Sequence, residues 1–279
     1  MGHLLIFGLG YTAGRISAAM KARGWQVTAT GSAGDIAFAD RAAVLAALGK
    51  ASHILSSVPP DRAGGDPVLD AYGAVLANKA LFYLSSTGVY GDRAGAWVDE
   101  ATPTIAQSGE GRRNARAEAD LAWLRLGARV FRLPGIYGPG RSALDRVAEG
   151  KARRIDLPDQ VFSRVHVDDI VSGVVGAFTQ HAPAGAYNLG DDYPCSGNEV
   201  TEHACRLLGL PLPPLESLEE ANLSEMARGF YMENRRVANG KAKRVLRWSP
   251  KYPTYVEGLE SLFSPQAPAG ASATLATAP

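Results

Sequence analysis

Cysteine is almost absent, with only Cys195 and Cys205 in 279 residues. They sit in a polar loop and a helical stretch with no ligand spacing around them. That excludes a disulfide scaffold and a thiolate metal site, and it fits free thiols in a reducing compartment. The five histidines are scattered and never joined by a cysteine at ligand spacing, so no metal centre is expected. Long apolar runs are missing as well: no segment approaches the roughly 18 consecutive apolar residues of a spanning helix. The opening run His3-Leu4-Leu5-Ile6-Phe7 turns at once into glycine without a cleavage site, unlike a signal peptide, and Met1-Gly2 does not lead to the Ser or Thr of a myristoylation signal. A net charge of +1 gives no global attraction to nucleic acid or anionic membrane. A cytoplasmic chain is expected, with a small-molecule substrate as its partner and neither nucleic acid nor membrane.

The content that is present, 46% hydrophobic and 20% charged, is that of an ordinary globular protein. Apolar runs bounded by turn residues recur at Leu4–Phe7, Val27–Ala29, His53–Ser57, Leu81–Ser85 and Arg129–Leu133, with alanine-rich helical stretches between most of them. Short strands alternating with helices predict a Rossmann-like α/β fold: a doubly wound parallel sheet, helices on both faces, ligands at the carboxyl ends of the strands. After Gly138-Pro139-Gly140 the rhythm breaks. A strand-like Val161–Val167, a helix from Asp168 to about Thr179, a strand around Tyr187-Asn188-Leu189, a helical pattern over Glu216–Arg228 and a short helix at Lys241–Arg247 follow. Residues 1–140 are read mainly as the dinucleotide-binding core. Residues 141–263 are read mainly as a small substrate lobe with returning core elements. The tail 264–279, rich in Pro, Ala, Ser and Thr, is expected to be disordered because it cannot offset its ordering entropy by burial.

Gly8-Leu9-Gly10-Tyr11-Thr12-Ala13 follows the first strand and opens a helix, the context in which G-x-G-x-x-A signifies a dinucleotide site. Gly8 permits the tight turn, Gly10 lets the backbone approach a pyrophosphate, and Ala13 allows close contact of helix and strand. Tyr11 and Thr12 complete the helix amino terminus, which favours the anion. At the end of the second strand, Thr30-Gly31-Ser32 carries no carboxylate to reject a 2′-phosphate and no arginine to grip one. Ser32 and backbone amides would serve, which leans slightly to NADP over NAD. Asp35 is an outside candidate for a ribose contact, with a surface-loop role equally open.

Several further segments join the glycine turn: Ser56-Ser57-Val58-Pro59-Pro60, Leu84-Ser85-Ser86-Thr87-Gly88-Val89-Tyr90-Gly91, Arg132-Leu133-Pro134-Gly135-Ile136-Tyr137-Gly138-Pro139-Gly140-Arg141, and Arg164-Val165-His166-Val167-Asp168-Asp169. On these residues the chain resembles the atypical, extended short-chain dehydrogenase/reductases, relatives of the NAD-dependent epimerases and dehydratases, and within them the YeeZ-like subgroup. The resemblance implies that Ser86 hydrogen-bonds the reacting oxygen. It also places Pro134 and Gly135 against the nicotinamide, Ser57, Val58 and Pro59 beside the adenosine, and Asp40 near the adenine. Thr87, Tyr90, Tyr137, Arg141, Arg164 and His166 are its candidate substrate contacts, with packing the favoured role for the two tyrosines.

Where that family keeps Tyr-x-x-x-Lys, this chain reads Arg112-Arg113-Asn114-Ala115-Arg116. Anchoring on Ala117-Glu118 sets Arg112 in the tyrosine place and Arg116 in the lysine place. Arginine can hold a ribose or polarise an oxygen, but a pKa above about 12 makes it a poor proton shuttle. Either the arginines face a ligand's negative charge or they form a solvated basic helix start. The arginine that the family sets four residues before the His166 position is Phe162 here, and Arg164, two residues along, is its candidate substitute. The leading expectation is an NAD(P)-binding epimerase, dehydratase or reductase acting on a small sugar, polyol or carbonyl compound. The alternative is a non-catalytic NAD(P) sensor resembling the NmrA-like regulators. The Ala115–Leu126 helix is the candidate surface for a homodimer.

Overall fold

In the computed structural model residues 2–61, 64–108 and 114–263 are described. Arg112, Arg113 and the tail 264–279 lie outside them. The strands are β1 His3–Phe7, β2 Gln26–Ala29, β3 His53–Ser56, β4 Ala80–Ser86, β5 Trp97–Val98, β6 Arg129–Leu133, β7 Gly135–Tyr137, β8 Arg154–Ile155, β9 Arg164–His166, β10 Gly185–Asn188, β11 Leu215–Glu216 and β12 Arg236–Val237. The helices are α1 Tyr11–Lys21, α2 Arg41–Lys50, α3 Pro67–Tyr72, α4 Ile105–Ser108, α5 Ala115–Arg125, α6 Ala143–Ala148, α7 Val167–Thr179, α8 Gly197–Leu208, α9 Glu225–Tyr231, α10 Gly240–Val245 and α11 Tyr255–Leu262.

Six strands form one parallel sheet in the order β10-β6-β4-β3-β1-β2. Alternation of side chains along β1 sends Leu4 and Ile6 to one face and Leu5 and Phe7 to the other. The first face is buried with Ile16 and Met20 of α1 and Ile170, Val174 and Phe178 of α7, the second with Val44 and Leu48 of α2, Val68 of α3 and Trp123 of α5. Covering both faces is what a parallel sheet of short apolar strands requires. The chain leaves β1 for β2 on one side and returns to β3 on the other, so the topological switch lies between β1 and β3, where such sheets bind ligands. Between β2 and α2 the only pairing is a single parallel bridge of Thr30 with Ile36.

The second half supplies α7, β10 and α10 to this core, the last through Ala242, with Leu246 and Trp248 just beyond it. A third apolar cluster joins Leu144 and Val147 of α6, Val200 and Ala204 of α8 and Leu259 of α11 around Tyr137. Two two-stranded parallel ladders, β7 with β9 and β5 with β12, tie the halves together, and a third, β8 with β11, lies within the second half. Two sequence expectations are corrected. The strand expected over 161–167 is only β9, because the His166 imidazole accepts from the Asp168 N–H at 3.2 Å and starts α7 at Val167. The helix expected over 216–228 begins at Glu225. Ser217 and Glu220 close a turn of their own, and Asn222 at φ +43° breaks the helical path.

At the centre of the sheet's carboxyl edge lies a buried ion pair. The Arg132 Nε and Nη2 atoms donate to the two Asp120 carboxylate oxygens at 3.1 and 2.7 Å, and Nη1 donates to the Tyr90 hydroxyl at 3.0 Å. Ser85 donates to Asp120 at 2.6 Å, and Tyr90 donates to Asn188 of β10 at 2.8 Å. Removing one partner leaves an uncompensated buried charge. Asp120→Ala is therefore expected to cost about 3–5 kcal/mol in urea unfolding. A loss below about 1 kcal/mol, the range of exposed pairs, would contradict the role given to this pair.

Candidate functional site

The first glycine turn is built by its neighbours. Gly8 has φ +84°, and a Cβ there would lie 3.0 Å from Ser57 Oγ and 3.1 Å from Val58 Cγ2. The Ser57 hydroxyl donates to the Gly8 carbonyl at 2.5 Å, while Gly8 N–H donates to the Thr30 hydroxyl at 3.2 Å and Leu9 N–H to the Thr30 carbonyl at 3.0 Å. The loops after β1, β2 and β3 thus brace one another at the switch point. Gly10, by contrast, is exposed: a Cβ there would meet nothing within 4 Å, and as the N-cap of α1 it offers no side-chain hydrogen bond. The first amides of α1 are left with an open space before them. An anion fits that cradle.

Thr12 and Ala13 are buried under the turn. Tyr11 spans from it to the Pro139 carbonyl, to which its hydroxyl donates at 3.1 Å, with the guanidinium carbons of Arg15 and Arg141 4.0 and 5.8 Å from its ring. The structure brings Gly8, Gly10, Ser57 and Val58 together, with Ser32 exposed and the Pro134 and Gly135 bend at the end of β6. Asp40 is the N-cap of α2 and accepts from Ala43 N–H at 3.0 Å, while Asp35 accepts from Ala29 N–H at 2.8 Å. Asp35 thus takes the surface-loop role.

Strand alternation at the end of β4 separates two serines. Ser85 is buried and committed to Asp120. Ser86 is half-buried, and its oxygen accepts from Gly88 N–H at 3.1 Å, which leaves its own O–H without a partner among the described residues. Ser86 is thereby presented as a hydrogen-bond donor. Thr87 is buried beside it. Arg116 is exposed at the start of α5, where the Asn114 side chain caps the helix by accepting from the Arg116 and Ala117 amides. It stands one turn above Asp120 on the same face of that helix.

Three expected substrate contacts are corrected. Tyr90 is fully buried, and its hydroxyl is taken by Arg132 and Asn188. The Arg164 guanidinium donates to the carbonyls of Phe162, Cys195 and Ser196 and to the Cys195 sulfur, so it ties β9 to the loop before α8. His166 is buried, and burial lowers its pKa, keeping the imidazole neutral as its acceptor role requires. Tyr137 donates to the Thr254 carbonyl at 3.4 Å, packs edge-on to His166, and is raised in pKa by burial.

Sequence reasoning missed Asp191, in the loop after β10. It is 2% exposed, its Oδ2 has no partner, and burial pushes its pKa up to about 7 against the opposing effect of Arg164. It missed Arg235 as well, whose Nη2 lies 4.0 Å from the place a Gly88 Cβ would take, with Ser86 Oγ 3.4 Å from the same point, although Arg235 and Ser86 are far apart in sequence. The Asn234-Arg235-Arg236-Val237 run carried no spacing signal that could have placed it. Among the described residues no group of three or more His, Cys, Asp or Glu is placed to hold a metal, and no helix is long and apolar enough to cross a membrane.

No protein-family model matches the chain. It is similar to a conserved protein of unknown function from Silicibacter pomeroyi DSS, with 40% identity, a TM-score of 0.81 and coverage of 94% of this chain and 98% of the other. It is 28% identical to protein YeeZ of Escherichia coli K12 over 86% of this chain and 94% of that one. It is 34% identical to a 3-diazoavenalumate denitrifying reductase from a Streptomyces species over 51% of this chain, spanning only 48% of that relative. The fold alone is shared with the dTDP-glucose 4,6-dehydratase of Bacillus anthracis, solved with NAD (TM-score 0.72, 16% identity, 94% and 95% of the chains). It is likewise shared with the human epimerase family protein SDR39U1, solved with NADPH (TM-score 0.72, 15% identity, 93% and 98%).

Gly8→Ala should lower stability by about 1–3 kcal/mol, since it forces a side chain into a positive φ and against Ser57. Gly10→Ala should leave stability within about 0.5 kcal/mol. Equal unfolding midpoints for the two variants would refute this account of the turn. Asp191 yields a second expectation. Its folded pKa is raised above the unfolded value, so the folded state holds the proton more tightly and stability falls as pH rises from about 4 to about 7, by up to about 1.4 kcal/mol per unit. Asp191→Asn should therefore be more stable than the parent at pH 8 and equal to it near pH 4. A stability difference that does not change with pH would count against it.

Proposed function

We propose that this chain, an atypical member of the extended short-chain dehydrogenase/reductases, is an NAD(P)-dependent enzyme of the epimerase, dehydratase or reductase type acting on a small carbonyl, polyol or sugar compound. The observation that carries the reading is the cradle at the switch point: an uncapped α1 amino terminus behind Gly8-Leu9-Gly10, open at Gly10. It is supported by fold relatives solved with NAD and NADPH and by a partial relative named a reductase. The exposed Ser32 and the missing acidic residue at the end of β2 favour NADP over NAD.

A bound nicotinamide dinucleotide supplies hydride transfer. The chain's own residues do the rest. The α1 amides would hold the pyrophosphate beside the Gly8 turn braced by Ser57, and the Pro134–Gly135 bend would stand against the nicotinamide. Ser86 donates its hydroxyl proton in a hydrogen bond to the reacting oxygen. Tyr83 and Tyr90 are buried with pKa values raised by desolvation, so neither can take the part of a tyrosine acid. Arg116 offers positive charge but no proton exchange near neutral pH.

Titration with NAD+, NADH, NADP+ and NADPH by calorimetry tests the reading, and Gly10→Asp sharpens it. Aspartate is a strong N-cap, so at this position it should hold or raise the melting temperature while its carboxylate occupies the amides and abolishes dinucleotide binding. Ser86→Ala should leave dinucleotide affinity intact and lower turnover about 10²-fold. Absence of binding to any of the four dinucleotides at millimolar concentration would overturn the proposal.

A further inference from the structure

We propose that Arg235 is a substrate-binding residue and that the substrate carries a carboxylate next to its reacting oxygen. The proposal rests on the dinucleotide-dependent reading above and deepens it by naming the substrate class.

Arg235 enters the site from the second half of the chain. It immediately precedes β12, which pairs with β5 through Arg236 and Trp97, and that ladder carries the side chain over the turn that follows β4. One nitrogen is fixed: Nη1 donates to the Gly91 carbonyl at 2.9 Å and to Glu233 Oε2 at 2.5 Å. The other two, Nε and Nη2, have no partner among the described residues. They are also absent from the sealed, unpaired polar atoms, so solvent reaches them. The position that a Cβ would take at Gly88 lies 3.4 Å from Ser86 Oγ and 4.0 Å from Arg235 Nη2. Both groups therefore flank one small space, which glycine at 88 keeps clear.

The free edge has a chemistry of its own. Nε and Nη2 present two parallel N–H donors in a plane, the arrangement that matches a carboxylate. The same edge of Arg132 in this molecule grips the Asp120 carboxylate, with Nε and Nη2 each taking one oxygen. On Arg235 that edge has no protein partner among the described residues and is open to solvent. Glu233, 37% exposed, holds the guanidinium plane from the far side and does not occupy the edge. A carbonyl at Ser86 and a carboxylate at Arg235 on neighbouring carbons describe a 2-oxo or 2-hydroxy acid.

The full-length protein saturated with its preferred reduced dinucleotide would be titrated with 2-oxobutyrate and phenylpyruvate, each against its methyl ester. At least one acid should bind ten times tighter than its ester. Arg235→Gln should erase that difference while dinucleotide affinity stays within twofold, and Arg235→Lys, which keeps the charge, should restore part of it. A purely structural tie to Gly91 would not move the acid-to-ester ratio. Acid and ester bound alike, neither bound, or a preference that survives Arg235→Gln would overturn the proposal. If Arg235→Gln fails to fold, the Arg235→Lys ratio decides, an unchanged preference counting against it. Loss of dinucleotide binding by the parent protein would instead strike the functional reading beneath it.

Discussion

Everything at the carboxyl edge of the sheet hangs on the Arg132–Asp120 pair. A guanidinium and a carboxylate, 3% and 1% exposed, are tolerable together because every guanidinium nitrogen and both carboxylate oxygens are hydrogen-bonded: two bonds between them, one from Ser85 and one to Tyr90. The pair joins β4, β6 and α5 directly and β10 through Tyr90 and Asn188. Its consequence for the site is orientation. With Ser85 drawn inward to Asp120, the two-residue period of β4 turns Ser86 outward, and the chain turns at once into the tight Thr87–Tyr90 helical turn that Ser86 caps. A stiff buried network thus aims an exposed hydroxyl.

How much of this was legible in the sequence follows from how local each constraint is. The Gly8 turn, the strand before it and the uncapped helix after it are set by a short local stretch, so G-x-G-x-x-A in its context disclosed them. The five core strands were found because their apolar runs are bounded by turn residues, even though β6 carries Arg129 and Arg132 and β2 carries Gln26 and Thr28. The pairing of Arg132 with Asp120 was invisible, since two charged residues read as surface until the fold closes. Tyr90, Arg164 and His166 misled in the opposite sense. Their motifs were recognisable, but their polar atoms are spent on the protein itself, and only the hydrogen-bond geometry reveals that. The 216–228 pattern failed because helix-forming composition does not register a break such as Asn222 at positive φ.

Arg235 shows the same limit most plainly. Its position beside Gly88 depends on a two-residue ladder between β5 and β12, chain segments far apart in sequence, and on Asn234, whose carbonyl receives the Arg93 and Gly95 amides. No periodicity encodes such a contact. The long-range pairing nevertheless brings Arg235 of the second half to the turn after β4 in the first, where it donates to the Gly91 carbonyl.

A tyrosine acid and its lysine supply both a proton and a positive charge. The described groups near Gly88 supply charge and hydrogen bonds without a titrating phenol: the Ser86 hydroxyl and the Nε and Nη2 edge of Arg235. Donors of this kind stabilise negative charge as it develops on an oxygen, and that stabilisation is commonly the largest part of catalysis. Delivering a hydride to a carbonyl develops such charge, whereas taking one from an alcohol first requires a base. A site rich in fixed donors is therefore suited to reducing a carbonyl compound. The proton that completes such a reduction can come from solvent, whereas the oxidative direction needs a base positioned at the alcohol.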